Sequence, residues 1–132
     1  MNRNIARLLP EMALKYPDKT AVLEPAGKNA EGHIAYKTLT YSQLDSLSNI
    51  YAKRFSENGI TKGVKTFMLL RPGLEFTAAA FAVFKTGAVP VLIDPGMGKK
   101  NLLSCIEDTR PEAMVAVSLA HWIKFFIRSP FR

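Results

Sequence analysis

One segment, LEFTAAAFAVFK at residues 74–85, constrains the fold more than any other part of the chain. It is apolar on nearly every side, and it is followed by Gly87, a residue that commonly ends helices. A helix that is apolar all round must be buried on more than one side. We therefore predict a helix from Gly73 to about Thr86 that is covered by other elements on several faces.

The segments around this helix alternate between strand and helix patterns. Short apolar runs alternating with helical segments are typical of a parallel, doubly wound sheet. Val89–Ile93 has the pattern of a central strand, with Pro90 near its start. The other predicted strands are Lys65–Leu70 and Glu112–Val117, and a further helix is predicted over Asn101–Thr109.

The N-terminal half predicts two helices and a small hairpin. Apolar residues from Ile5 to Tyr16 follow helical spacing, with Asn4 as N-cap and a kink or short break at Pro10. Thr20–Glu24 and Ile34–Thr38 are predicted to pair as a β-hairpin. A second helix follows Thr40 and ends at Asn58-Gly59, because Thr40 and Gln43 have capping-box spacing. The predicted fold class is α/β: a partial doubly wound parallel sheet with flanking helices, plus a small N-terminal β-hairpin.

Composition limits the function classes. With 132 residues the chain has the size of one domain, and its net charge of +7 is spread along the sequence. Nucleic-acid binding is not expected, because the basic residues are not concentrated on one element. Cys105 is alone, so neither an intrachain disulfide nor a cysteine-based metal site is expected. The N-terminus lacks the apolar core of a signal peptide, and we expect a cytoplasmic protein.

The segment Gly96–Lys100 resembles a phosphate loop only superficially. A Walker loop requires glycine where Ile93 stands and a hydroxyl residue where Lys100 stands. A dinucleotide loop requires glycine at Asn101. We interpret the segment as a turn with two solvated lysines, and Asp94 before it as a turn residue with no catalytic role.

Three other residues with reactive side chains are assigned no catalytic or metal-binding role. His33 and His121 have no Asp, Ser or Cys at recognisable spacing, so both are interpreted as surface or packing residues. Cys105 shares a helix face with Leu102 and Ile106 and is interpreted as a small buried hydrophobe.

Three motifs, in order along the chain, resemble those of AMP-forming acyl-activating enzymes. These are YPDKTAV at Tyr16–Val22, LTYSQL at Leu39–Leu44 and FKTGAVPVLIDP at Phe84–Pro95. RPGLEF at Arg71–Phe76 and DPGMGKKNL at Asp94–Leu102 are similar to the branch of fatty-acid–CoA ligases that includes the β-lactone synthetases of olefin biosynthesis. The resemblance runs from about Asn4 to His121.

The resemblance implies a carboxylate-activating parent enzyme. Its full-length members use Mg·ATP to convert fatty or other carboxylic acids to acyl-adenylates, and pass the acyl group to CoA or another acceptor. Their ATP-handling loop, rich in Ser, Thr and Gly, has no counterpart here, since no glycine follows two hydroxyl residues. We therefore assign no catalytic, cofactor-binding or metal-binding residue, and expect residues 1–132 to be the N-terminal portion of an AMP-binding domain, inactive alone.

Two alternatives remain open. The chain could be a stand-alone scaffold or interaction module that pairs with the rest of a split enzyme. Alternatively, residues 119–132, with the sequence LAHWIKFFIRSPFR, could contact a membrane weakly as a basic amphipathic tail. This tail is predicted to be helical, as the truncated start of a further helix.

Overall fold

The computed structural model describes residues 3–117 and 123–127. A short 3-10 turn over Ile5–Arg7 leads into helix α1, and a two-stranded antiparallel sheet and a four-stranded sheet follow along the chain. The elements are α1 (Leu8–Lys15), β1 (Thr20–Lys28), β2 (Ile34–Thr40), α2 (Tyr41–Glu57), β3 (Lys65–Leu69), α3 (Leu74–Thr86), β4 (Val89–Leu92), α4 (Lys99–Thr109), β5 (Ala113–Val117) and β6 (Ile123–Ile127).

The larger sheet has the strand order β4-β3-β5-β6, in which β3 is parallel to both β4 and β5. The chain moves from β3 outward to β4 and then returns past β3 to β5. Because such crossovers are right-handed, this reversal places α3 and α4 on opposite faces of the sheet. The predicted doubly wound parallel sheet with flanking helices and an N-terminal hairpin is therefore confirmed.

Helix α3 is buried on several sides, as its sequence predicted. Glu75 is its only exposed residue. Ala79, Ala82 and Val83 pack with Met68 of β3 and Phe55 of α2 in the main core cluster. On another side of the helix, Ala78 packs in a second cluster beside α1 and the hairpin. Alanines permit this, because their small side chains let neighbouring backbones approach closely.

Helix α2 begins as its sequence predicted. Thr40 Oγ1 accepts a hydrogen bond from Gln43 N–H at 3.1 Å, and Gln43 Oε1 accepts one from Thr40 N–H at 2.9 Å. This reciprocal pair satisfies two amides that a helix start would otherwise leave free. The helix ends at Glu57 with Asn58 as its C-cap, and Gly59 follows with a φ of 88°.

The break predicted at Pro10 occurs earlier in the chain. The 3-10 turn changes to α-helix between Arg7 and Leu8, which places Pro10 in the first turn of α1. A first-turn residue has no intrahelical partner for its amide, so proline costs no hydrogen bond there. Asn4 acts as the predicted N-cap, since its Oδ1 accepts from Ala6 N–H at 2.9 Å.

Strand β4 was expected to be central but lies at an edge of the described sheet. Val89 N–H donates to Val64 O and so faces the β3 side. Successive residues of a strand alternate in direction, so the nitrogen of Pro90 faces the open side, where its missing donor costs no ladder bond. The apolar sequence of β4 suggested full burial, whereas the proline marks an edge strand.

The predicted helical tail is wrong over Ile123–Ile127, which form β6, paired antiparallel with β5. The sequence IKFFI has the β-branched and aromatic residues that strands favour, and pairing it there covers the open edge of β5. The rest of that prediction, over 119–122 and 128–132, lies outside the described residues. Within the described parts of the chain, no helix is long and apolar enough to cross a bilayer.

A buried ion pair joins α2 to α3. Lys85 Nζ lies 2.6 Å from Asp45 Oδ1 and donates to Asn49 Oδ1 at 2.7 Å. The side chains of Lys85 and Asp45 are only 11% and 20% exposed. The ammonium thus has its partners inside the helix interface, and the lysine of the FKTGAVPVLIDP motif joins two helices in this chain.

We predict that Lys85→Met lowers the free energy of unfolding by about 2 kcal/mol, because it leaves the Asp45 carboxylate buried without its cation. The double variant Lys85→Met/Asp45→Leu should regain most of this loss, since both charges are then removed. Urea denaturation measures both values, with Lys53→Met on the exposed side of α2 as control. If the double variant lost as much free energy of unfolding as Lys85→Met, the ion pair between Lys85 and Asp45 would not be the cause of the loss.

Candidate functional site

The candidate site is the edge of the larger sheet at which the parallel strands β3, β4 and β5 end. Open α/β sheets bind ligands outside the carboxyl ends of their strands, at the point where the strand order reverses. In this chain the order reverses between β3 and β5. Among the residues that the structure describes, the charged residues that follow these strand ends most closely are Arg71, after β3, and Asp94, after β4.

The Asp94 carboxylate is used by the turn that follows it. Its Oδ1 accepts a hydrogen bond from Gly96 N–H at 2.8 Å and caps the 3-10 turn Pro95–Met97. A side chain on Gly96 would press on the same oxygen, since a Cβ built there lies 3.1 Å from Asp94 Oδ1. Asp94 is therefore positioned as a turn residue.

The two lysines of the apparent phosphate loop are exposed. Lys99 and Lys100 occupy the first turn of α4, whose N-cap Gly98 provides no side-chain hydrogen bond. Neither lysine forms an ion pair with another residue of the described chain. The Gly96 amide, which would face a phosphate in such a loop, is bonded to Asp94 instead.

These residues do not fit Mg·ATP. No group of three His, Cys, Asp or Glu side chains in the part of the chain that the structure describes is arranged to hold a metal ion. The carboxylate after β4 and the Gly96 amide are bonded to each other within their own turn. No chemical step through the nucleotide can be derived from these residues.

The remaining candidates from the sequence lie apart from this edge or serve packing. His33 is exposed in the hairpin turn, with its Nδ1 3.7 Å from Glu31 Oε2. Cys105 is half-buried, less than its sequence predicted, and its Sγ lies 3.9 Å from Met97 Sδ. His121 lies outside the described residues.

A hydrogen bond between Tyr51 and Glu75 was not predicted from the sequence. Tyr51 of α2 donates through its hydroxyl to Glu75 Oε2 of α3 at 2.5 Å. Burial raises the pKa of Tyr51 well above its usual value of about 10, and the Glu75 carboxylate raises it further. Tyr51 belongs to the apolar stripe of α2, and a tyrosine there needs a partner for its hydroxyl, a signal that the sequence did contain.

A second unpredicted contact lies at the start of α3. The backbone of Gly73 has a φ of 155°, and a Cβ built on it would lie 2.7 Å from Glu24 Oε1 of β1. The Glu24 carboxylate thus lies against the N-terminus of α3, where the helix dipole favours negative charge. A Cβ at this position would require the Glu24 side chain to move, and the approach brings the hairpin beside the loop that follows β3.

The fold of this chain, a hairpin with helices and a partial sheet, is also found within a solved structure. The N-terminal subdomain of Klebsiella oxytoca NpsA superposes with a TM-score of 0.76 at 15% identity, over 89% of this chain and 28% of that chain. At this identity the likeness shows the fold alone.

The sequence identifies the family. Residues 9–125 match the AMP-binding enzyme family, to which the chain therefore belongs. Olefin β-lactone synthetase of Stenotrophomonas maltophilia is 43% identical over 97% of this chain, and that of Xanthomonas campestris is 40% identical over 95%. The chain spans 24% and 23% of the lengths of these two relatives. The resemblance to the adenylate-forming superfamily and to this branch is confirmed.

We predict that Gly73→Ala lowers the free energy of unfolding by about 1–3 kcal/mol, through an unfavourable φ and contact with Glu24. Part of the loss should be recovered in Gly73→Ala/Glu24→Ala, because the contact is removed and only the backbone term remains. Thermal and urea denaturation of the single and double variants measure this. Strictly additive losses would show that Glu24 does not press on residue 73.

We predict that the chain loses stability as pH rises above about 10, partly through Tyr51. The unfolded tyrosine ionises there while the folded one keeps its proton, so the folded state binds more protons and is disfavoured with rising pH. Urea denaturation at pH 8 and pH 11 should show a smaller pH-dependent loss for Tyr51→Phe than for the wild type. Equal pH-dependent losses of stability in the variant and the wild type would contradict a raised pKa of Tyr51.

Proposed function

We propose that this chain provides the N-terminal scaffold of an acyl-adenylate-forming synthetase of the olefin β-lactone synthetase type, and that it forms no adenylate by itself. The observation that carries the proposal is the 40–43% identity to those enzymes over nearly the whole of this chain. It is supported by Asp94 at the sheet edge, whose carboxylate caps its own turn.

The substrates proposed for the complete enzyme are a fatty or other carboxylic acid and Mg·ATP, with CoA or another nucleophile as acyl acceptor. In that enzyme the present elements would form one wall of the site, with ATP handled by other parts. Catalysis of adenylate formation depends on positioning the carboxylate and on stabilising charge at phosphorus. A rigid sheet edge contributes to the first of these requirements.

A second candidate function is that of an interaction module for a separately encoded partner. The outward face of the β1–β2 hairpin favours it, because Leu23, Ile34 and Tyr36 are each more than half exposed there. The register places Leu23 and Pro25 opposite Thr38 and Tyr36, so the apolar side chains adjoin on one face. Exposed apolar patches commonly mark interaction sites.

We predict that the purified chain shows no ATP–pyrophosphate exchange above background with medium- or long-chain acids. Mixing it with the Stenotrophomonas maltophilia olefin β-lactone synthetase from which the homologous N-terminal segment has been deleted should restore measurable exchange. Leu44→Asp, which places a charge in the core cluster beside α1, is the matched control and should fail to restore it. Exchange by the isolated chain would contradict the proposal.

A further inference from the structure

We propose that the outward face of the β1–β2 hairpin is the surface on which the remaining part of the synthetase docks. This hairpin face is formed by the side chains of Leu23, Pro25, Ile34, Tyr36 and Thr38. The inference rests on the proposed function, because it names the partner that such a scaffold contacts and the residues that contact it. It concerns binding alone and involves no bond formation.

The register of the hairpin determines which side chains point outward. Val22 pairs with Leu39, and both pack against the second core cluster, beside α1 and α3. Successive side chains of a strand alternate between its two faces, so Leu23 points away from that cluster. Thr38, opposite Leu23, shares its face, and Tyr36 lies two residues along the same strand. One face of the hairpin is therefore packed and the other is open.

Large apolar side chains adjoin on the open face. Leu23 is 59% exposed, Ile34 56% and Tyr36 53%. Single exposed apolar residues are ordinary on a protein surface, whereas adjoining ones mark interaction sites. Other exposed leucines, such as Leu14 and Leu103, lie on two separate helices, α1 and α4. The hairpin face is thus distinguished by adjacency as well as by exposure.

The charges of the hairpin leave this face suited to an apolar partner. Among the paired residues of the hairpin, Lys28, opposite Ile34, is the one charge that the register places on the hairpin face. Glu24 points to the other side, where its carboxylate lies against Gly73. Covering the face therefore removes no carboxylate from water, a step that would be costly without a partner. A matching surface offers apolar side chains, with an acidic group opposite Lys28 at the rim.

The occupant is argued from the length of the relatives. The chain spans 24% and 23% of the two olefin β-lactone synthetases that it matches, so about three quarters of such an enzyme lies outside this segment. Contacts between parts of one chain resemble protein–protein interfaces, with apolar side chains at their centre. The hairpin face has this character, and the remaining three quarters of the synthetase is the partner that we assign to it.

The test uses a chimera in which this chain replaces the homologous N-terminal segment of the Stenotrophomonas maltophilia olefin β-lactone synthetase. Hydroxyl-radical oxidation, measured by mass spectrometry, compares the chimera with the isolated 132-residue chain. Oxidation of Leu23 and Tyr36 should be severalfold lower in the chimera, because the docked part covers them. Leu14, which is 86% exposed on α1, is the internal control and should be oxidised equally in both.

A substitution on the hairpin face provides a second measurement. Tyr36→Lys should leave the melting temperature of the isolated chain nearly unchanged, because residue 36 is exposed there. The same substitution should lower the melting temperature of the chimera, since it places a charge in a covered apolar interface. Leu14→Lys is the matched control and should have little effect in either protein. Circular dichroism confirms that each variant is folded.

Several outcomes would overturn the inference. These are equal oxidation of Tyr36 in the chain and the chimera, protection of Leu14 as strong as that of Tyr36, an equal effect of Tyr36→Lys in both proteins, and a chimera that does not fold. Self-association of the isolated chain that Tyr36→Lys abolishes would also overturn it, because the face would then bind a second copy. A folded chimera with Tyr36 protected but without ATP–pyrophosphate exchange would support docking and contradict the proposed function.

Discussion

Burial of α3 is the constraint on which the rest of the structure depends. The helix packs against β3 and against α2. It also contacts the 3-10 turn, α1 and the hairpin. Large residues such as Val83 contribute about 1.5–3 kcal/mol each when fully buried, whereas the alanines contribute mainly by allowing close contact. A helix with one exposed residue has no stable position without these neighbours.

The polar contacts of the chain follow from that burial. Lys85 and Glu75 lie on α3 at positions where α2 can supply partners, Asp45 and Tyr51 respectively. Asn4 Nδ2 donates to Phe84 O and holds the N-terminal segment to the end of the helix. Each bond gives a partner to at least one group that packing has partly removed from water, where an unmet polar group would cost about 1–3 kcal/mol.

The sequence predicted the features that local chemistry determines and missed those that depend on tertiary contacts. Thr40 and Gln43 revealed the start of α2, and strand–helix alternation revealed the parallel sheet. The edge position of β4 was missed because strand order is a property of the whole sheet, although Pro90 indicated it. The strand Ile123–Ile127 was missed for a related reason, since the tail was expected to begin a further helix while pairing with β5 decided the outcome.

At the candidate site, the sequence predicted that Asp94 is a turn residue but not which strands are neighbours. The hydrogen bond from Gly96 to Asp94 is local and could be anticipated from the Asp-Pro-Gly turn. The pairing of Leu69 with Ala116 depends on which strands are neighbours, and no spacing along the chain encodes it. Glu24 likewise meets Gly73 only after the hairpin has folded against α3.

Amide hydrogen exchange tests the central role of α3 most directly. If α3 organises the chain, the amides of Ala79 to Val83 and those of β3 should exchange slowest and at a common rate, through global unfolding. The hairpin and α4, which bury less, should exchange faster. Exchange in α3 as fast as in the hairpin, while α2 or β5 remains protected, would contradict this account.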